Sequence, residues 1–361
     1  MNTPGAKLAF SILVFSTCVV CGESFHSQNI ITGEQPMALV VNEATNKAYV
    51  VNHFSDSVSV ISGKSRTVVA TIKTGVGPEG IAINPVTNRV YVANTKDSTV
   101  TVIDGAADTV VDTVRTGSYC HALAVNPQTN RIYVANNFGH SVTVIDGATH
   151  ETTTFRVGQG PRGVAVNPVT NKVYTANYGS KDATAIDGSS NIATRVATGR
   201  HPWTLAVNSR ANKAYVVNED SASVSVIDGA TGKTKEVFVG EIPFAVAVNP
   251  TTNRTYVLSY AGGSLAVLDA VTDVVIQTVS LNMHPSAIAV NSKTNQIYIA
   301  NQKGESVIVF DGKTTSISGT VKAGKIPYAM AVDSLANQVF VANFNSGNVT
   351  VIDASAQEVK Q

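Results

Sequence analysis

The chain has 361 residues, a formal net charge of +1 and 14% charged residues. So balanced a composition excludes bulk attraction to nucleic acid or to an anionic membrane surface. The length would serve two or three ordinary domains, but an internal repeat, described below, uses nearly all of it.

Residues 1–22 stand apart from the rest. Lys7 gives a weakly positive start, and LAFSILVFSTCVVCG is an apolar run of signal-peptide length. It is too short and too early for a membrane-spanning helix. The expectation is a signal peptide over residues 1–22, cleaved near Gly22, with export to the periplasm or to the cell exterior or surface. Cys18 and Cys21 raise a lipid-anchored alternative, although Thr17 and Val20 before them fit a lipobox poorly. After cleavage Cys120 is the only cysteine left. The mature chain therefore needs no intramolecular disulfide even in an oxidising compartment, and no membrane span is expected in it.

From about residue 30 onward one unit recurs eight times. YVVN ending at Asn52 returns as YVAN at Asn94, YVAN at Asn136, YTAN at Asn177, YVVN at Asn218, YVLS at Ser259, YIAN at Asn301 and FVAN at Asn343. The step is always 41 or 42 residues. Pro36, Pro78, Cys120, Pro161, Pro202, Pro243, Pro285 and Pro327 keep the same beat. A fixed period in the forties marks a repeat architecture.

Each unit divides into four short runs rich in Val, Ile, Tyr and Thr with period-2 alternation, such as IAIN, RVYVAN, STVTVID and TVVDTVRTG. That is strand composition, and no helical stripe appears. NPVTN joins the first two runs as a tight turn whose second Asn suits positive φ. DG and a few polar residues join the third and fourth, a hairpin signal. The expected fold is all-β: a single β-propeller of eight four-stranded blades over residues 23–361. Small residues recur on the innermost strands (Ala82, Ala124 and their equivalents) because these strands crowd near the axis. The last unit lacks a full fourth strand, and Ile30-Ile31-Thr32-Gly33 resembles the end of one. The N-terminal segment is therefore expected to close the ring, which removes exposed edges.

The YVAN/YVVN runs, NPxTN turns and VIDG turns resemble the YVTN-repeat family of β-propellers, which includes YncE-like periplasmic propellers and surface-layer-like proteins. The resemblance covers roughly residues 30 to 355. It implies a propeller, often described as seven-bladed, and through the YncE-like members it implies single-stranded DNA as one possible ligand. It assigns no activity.

Position in the repeat sorts residues onto two faces. On the turn face, Lys47, Arg89, Arg131, Lys172, Lys213 and Arg254 follow the NPxTN turns. Their regularity points to pairing with the VID aspartates rather than to an anion-binding ring. Exposed pairs of this kind contribute roughly 0–1 kcal/mol. The loop face is irregular, which is where a scaffold carries function. It holds the single tryptophan, Trp203, five of the seven histidines, and several aromatics. Trp203, His201, Tyr119, His121, Arg162 and Tyr178 are the candidate ligand-binding residues, since rim aromatics can stack on sugars, bases or peptide side chains. Six basic residues on this face stand against nine acidic ones. That balance does not support the nucleic-acid partner that the resemblance implies.

Chemistry is harder to find. SYCH replaces the proline turn of the third unit, setting Cys120 beside His121, and His201 and His284 precede the equivalent prolines of later units. These histidines come from alternate blades, so convergence on one zinc ion at about 2.0–2.3 Å is not expected. Adjacent strand residues point to opposite sides, so Cys120 and His121 do not form a catalytic dyad. No phosphate loop, haem-attachment motif, paired zinc cysteines or nucleophile elbow is present. The expectation is no catalytic residue, no metal and no cofactor. The reading is an exported binding or scaffold protein for a ligand, polymer or protein. The alternatives are an enzyme or metal protein with its site at the channel mouth, as in propeller lactonases and quinoproteins, and a structural cell-surface protein.

Overall fold

The computed structural model describes residues 24–357; the expected signal peptide lies outside them. Eight antiparallel four-stranded sheets follow one another along the chain. Blade 1 is typical: Pro36–Asn42 innermost, then Lys47–Asn52, Ser57–Ser62 and Thr67–Lys73 outermost. Each innermost strand contacts the innermost strands on both sides, and the last contacts the first, so the eight strands form a closed ring around a central channel. The blade count is eight rather than seven. The expected closure is present: Ser24–Ile31 is the outer strand of blade 8, with Ile30 opposite Val349 and Ile31 opposite Asn348.

The core lies between blades, not within them. Tyr49, Val51 and Val58 of blade 1 pack against Val90, Val92 and Ile103 of blade 2, and each interface around the ring repeats this pattern. The small residues of the inner strands sit opposite the buried tyrosines: Ala82 faces Tyr91, Ala124 faces Tyr133 and Ala206 faces Tyr215. A larger side chain there would compete with a fully buried ring for the same inter-blade space.

The NPxTN turns do more than reverse the chain. The second Asn takes positive φ in all eight units, from Asn46 at 50° to Asn295 at 59°. The first Asn caps its own turn, as when Ala44 N–H donates to Asn42 Oδ1 at 3.1 Å. Its amide then crosses to the next blade. Asn42 Nδ2 donates to Asn88 Oδ1 at 2.6 Å, Asn84 to Asn130 at 2.7 Å and Asn126 to Asn171 at 2.8 Å. The series continues through Asn291 to Asn337 at 2.9 Å. The motif read as a local turn is thus also an inter-blade clasp.

Several turn-face cations are used in the same way. Lys47 reaches Asp108 of the next blade at 2.7 Å and Lys213 reaches Asp273 at 2.7 Å, whereas Arg254 pairs within its own blade with Asp269 at 3.0 Å. Arg131 and Lys172 donate to the carbonyls of Gly188 and Gly229. In the DG turn of blade 2 the left-handed residue is Asp108, φ 55°, not Gly105. The glycine is needed for close approach: its N–H donates to Asn88 O at 2.9 Å, and a Cβ there would meet Asn88 Oδ1 at 2.3 Å.

Candidate functional site

Every innermost strand carries a register shift at its second residue. Pro78 pairs with Asn94 and Gly80 with Ala93, so Glu79 between them has no partner. Such bulges re-aim a side chain out of the sheet. The eight residues so placed are Met37, Glu79, His121, Arg162, Trp203, Phe244, Ser286 and Tyr328. They form a ring at the loop-face end of the channel. The bulges are tied down from the preceding blade: Thr95 Oγ1 donates to Cys120 O at 2.8 Å and Asn137 Nδ2 to Pro161 O at 3.3 Å.

The ring has two unlike halves. On one side, His121 Nδ1 and Glu79 Oε2 are 2.8 Å apart. Burial alone would raise the Glu79 carboxyl, but the His121 hydrogen bond and the charges of His121 and His53 outweigh it and hold the pKa below the usual value. Arg162 follows, its guanidinium carbon 3.6 Å from the centre of the Trp203 ring and 5.9 Å from that of Tyr178. On the other side Trp203 lies 5.6 Å from Phe244. Trp203, Phe244 and Tyr328 line a cavity of about 290 Å³ together with Ser286, Ile288 and Met330. The Tyr328 phenol is pushed up, mainly by desolvation, with Arg162 opposing and Glu79 adding to the shift.

A second tier of aromatics stands around this ring. Tyr178 stacks on His201 at 4.5 Å and meets Trp203 edge-on at 5.9 Å. His201 is fixed from the other side by Asp220, 2.5 Å from its Nδ1. Tyr119 stacks on Phe138 at 4.3 Å. Tyr119 and His201 both have positive φ, 58° and 51°, as do Gln35, Ile242 and Ile326 at the same place in their units, so this conformation belongs to the repeat turn.

Of the residues singled out from sequence, Arg162, Trp203, Tyr178 and His201 come together as one cluster. His121 belongs to the same ring through Glu79. Tyr119 lies near enough for Glu79 and Arg162 to influence its phenol, which burial mainly raises. Glu79, Phe244 and Tyr328 were not among the candidates, although each sits one residue after an inner-strand proline, a position readable from the repeat. Cys120 opens an inner strand, is fully buried, and its thiol contacts Asn94 O and Thr99 O at 3.4 and 3.3 Å. Burial pushes that thiol up, which makes it a poor nucleophile. His284 lies instead against Tyr260, 5.0 Å between ring centres. Among the described residues no group of three or more His, Cys, Asp or Glu side chains could hold a metal ion, and no helix is long and apolar enough to cross a membrane.

The fold and this ring define an eight-bladed propeller with a ring of unlike side chains at the loop-face mouth of its channel. The family model described as YNCE-like beta-propeller matches residues 80–275, and the chain belongs to that family. A second model, described as Lactonase, 7-bladed beta-propeller, matches residues 252–360. The sequence matches no curated protein. Among solved structures, the Kuenenia stuttgartiensis hydrazine synthase is 17% identical with a TM-score of 0.63, covering 91% of this chain and 98% of that one. The dihydro-heme d1 dehydrogenase NirN is 16% identical with a TM-score of 0.75, covering 88% and 72%. Streptogramin B lyase is 13% identical with a TM-score of 0.62, covering 76% and 93%. At these identities the likeness is one of fold.

Proposed function

We propose that this protein is an exported binding module that holds its ligand at the loop-face mouth of the propeller channel. One observation carries the reading. Seven of the eight blades hold their buried cores and turns to nearly one pattern, yet the bulged position of each inner strand carries a different residue. A merely structural ring would repeat a residue there, as the tyrosines and the NPxTN asparagines do. The variation puts Arg162, Trp203, Phe244 and Tyr328 side by side, a cation and aromatic faces with room between them. Fold alone assigns no function; the reading rests on the ring of unlike residues at the mouth.

The test uses the single tryptophan. Full-length mature protein is titrated with single-stranded oligonucleotide, cell-wall fragments, small organic acids and divalent metals while Trp203 emission is followed. A saturable change with one of them, absent in Trp203→Phe, supports the site. No change with any of them in folded protein sinks the pocket reading and moves a structural or protein-partner role to first place.

A further inference from the structure

Resting on the binding reading above, we infer that the channel mouth takes a small organic monoanion: a planar ring of one or two cycles bearing one carboxylate, with Arg162 as its anion-binding residue.

The argument begins with what each charge at the mouth is already doing. Glu79 is committed to His121 at 2.8 Å, and His201 to Asp220 at 2.5 Å. Arg162 is different. Among the described residues it forms no ion pair and its N–H groups find no protein acceptor; its contacts are with the rings of Trp203 and Tyr178. A guanidinium carries five N–H donors in one plane and no acceptor. With its guanidinium carbon over the indole, 3.6 Å from the ring centre, it is held by cation–π attraction while its N–H groups stay free of protein acceptors. That edge matches a carboxylate by two parallel hydrogen bonds. Lysine at this place would offer neither the plane nor the fork.

The neighbours limit what can be attached to the carboxylate. Beside Arg162 lies the cavity of about 290 Å³, walled by Trp203, Phe244, Ile288, Met330 and Tyr328. That lies at the small end of the range for ligand pockets, about 300–1,000 Å³, and seats one or two fused rings against its aromatic walls. The side chains facing it are mainly rings and aliphatic carbons, with Thr204 and Ser286 among them. The Ser286 proton is used on Pro327 O at 2.6 Å. The ring faces of Trp203, Phe244 and Tyr328 suit a flat aromatic body stacked between them.

The same charges exclude a polyanion. Arg162 is the only uncommitted cation of the bulged ring, and Glu79 stands in the same ring. Glu219, beside His201, is shifted up by burial and by Asp220, with Arg162 and His201 opposing. A polyanion needs a row of cations; one cation between acids suits one negative charge.

The experiment compares 2-naphthoate with 2-naphthamide, which keeps the ring and removes the charge, by titration calorimetry on the full mature chain at pH 7. The expected result is binding of the acid at least about tenfold tighter than the amide. Arg162→Met removes that difference and leaves residual ring binding, Arg162→Lys restores only part of it, and Trp203→Ala weakens both ligands. Thermal melts of each variant show that the fold is kept. Equal binding of acid and amide by the native protein overturns the carboxylate assignment but leaves the binding site standing. Binding of neither, with oligonucleotide or cell-wall fragments active on Trp203 emission, overturns the ligand class alone. Binding of nothing overturns both readings.

Discussion

Asn46 Nδ2 donates to Asp333 Oδ2 at 2.8 Å, across the seam where the first and last blades meet. At every other junction the first asparagine of one NPxTN turn donates to the second asparagine of the next. Blade 8 has Asp333 where that donor would stand. A carboxylate cannot donate, so the bond reverses and the second asparagine becomes the donor. Asp333 is fully buried and also accepts from the N–H groups of Leu335 and Ala336 at 3.0 and 2.8 Å.

Asp333→Ala should therefore destabilise the protein by roughly 1–3 kcal/mol, because it leaves buried donors without acceptors. Asp333→Asn should stay within about 1 kcal/mol of the native protein, since an amide at that position is what the other seven junctions use. Urea unfolding of the two variants separates these outcomes. An alanine variant as stable as the native chain would show that the seam does not rely on this bond.

Closure makes a second prediction. Residues 24–31 supply the outer strand of blade 8, and without them the strand Asn348–Gln357 has a bare edge. Removing residues 1–23 should leave the melting transition unchanged. Removing residues 1–31 should broaden it and promote self-association, since an uncovered edge is a template for pairing with another chain. Light scattering and thermal melts on the two truncations decide it. A sharp transition and a monomer after the longer cut would mean that the ring closes without this strand.

Much of this fold is readable in the chain because the same local rule is written eight times. Pattern, turn and closing strand could each be checked against seven copies. What could not be read was what the repeated residues do across the blade boundary. The glycine in TVRTG looks like a strand end. In the structure a Cβ on Gly117 would meet the Asn136 amide nitrogen at 2.6 Å, because that asparagine is turned inward to donate to Ser141 and Thr143 at 3.0 and 2.9 Å. The site was legible in part. Aromatic and histidine content drew attention to the loop face, but the bulge that turns Glu79, Phe244 and Tyr328 toward the channel is a feature of register, and composition does not report register.

Backbone strain around the mouth gives a third prediction. The residue just before the inner-strand proline has positive φ at Ile242, 50°, and Ile326, 52°, where blades 2 and 4 use Gly77 and Gly160. A left-handed conformation costs an L-residue roughly 1–2 kcal/mol, and a β-branched side chain is a poor occupant. Ile242→Gly should be more stable than Ile242→Ala, because alanine loses the side chain but keeps the Cβ. Melting temperatures of the pair test this directly. Alanine above glycine would mean that chain entropy, which disfavours glycine by roughly 0.5–1 kcal/mol, outweighs the local strain.

The turn aspartates set the acid limit of the fold. The Arg89 side chain, then the N–H groups of Ala107 and Ala106, hold Asp104 down to about 2. Backbone N–H donors lower Asp146, Asp187 and Asp269 first of all, and the Thr231 N–H and hydroxyl lower Asp228. A carboxyl whose pKa is depressed on folding contributes stability that is present above its unfolded value and is lost as pH falls through the folded one. The melting temperature should thus be nearly flat from pH 7 to about 5 and should fall between about pH 4 and 2. Asp104→Asn keeps the turn acceptor but not the charge. It should melt below the native protein at pH 7 and converge on it as pH falls through about 2, where the native aspartate loses its charge. Two melting curves that run parallel across this range would show that the Arg89–Asp104 pair contributes nothing that depends on ionisation.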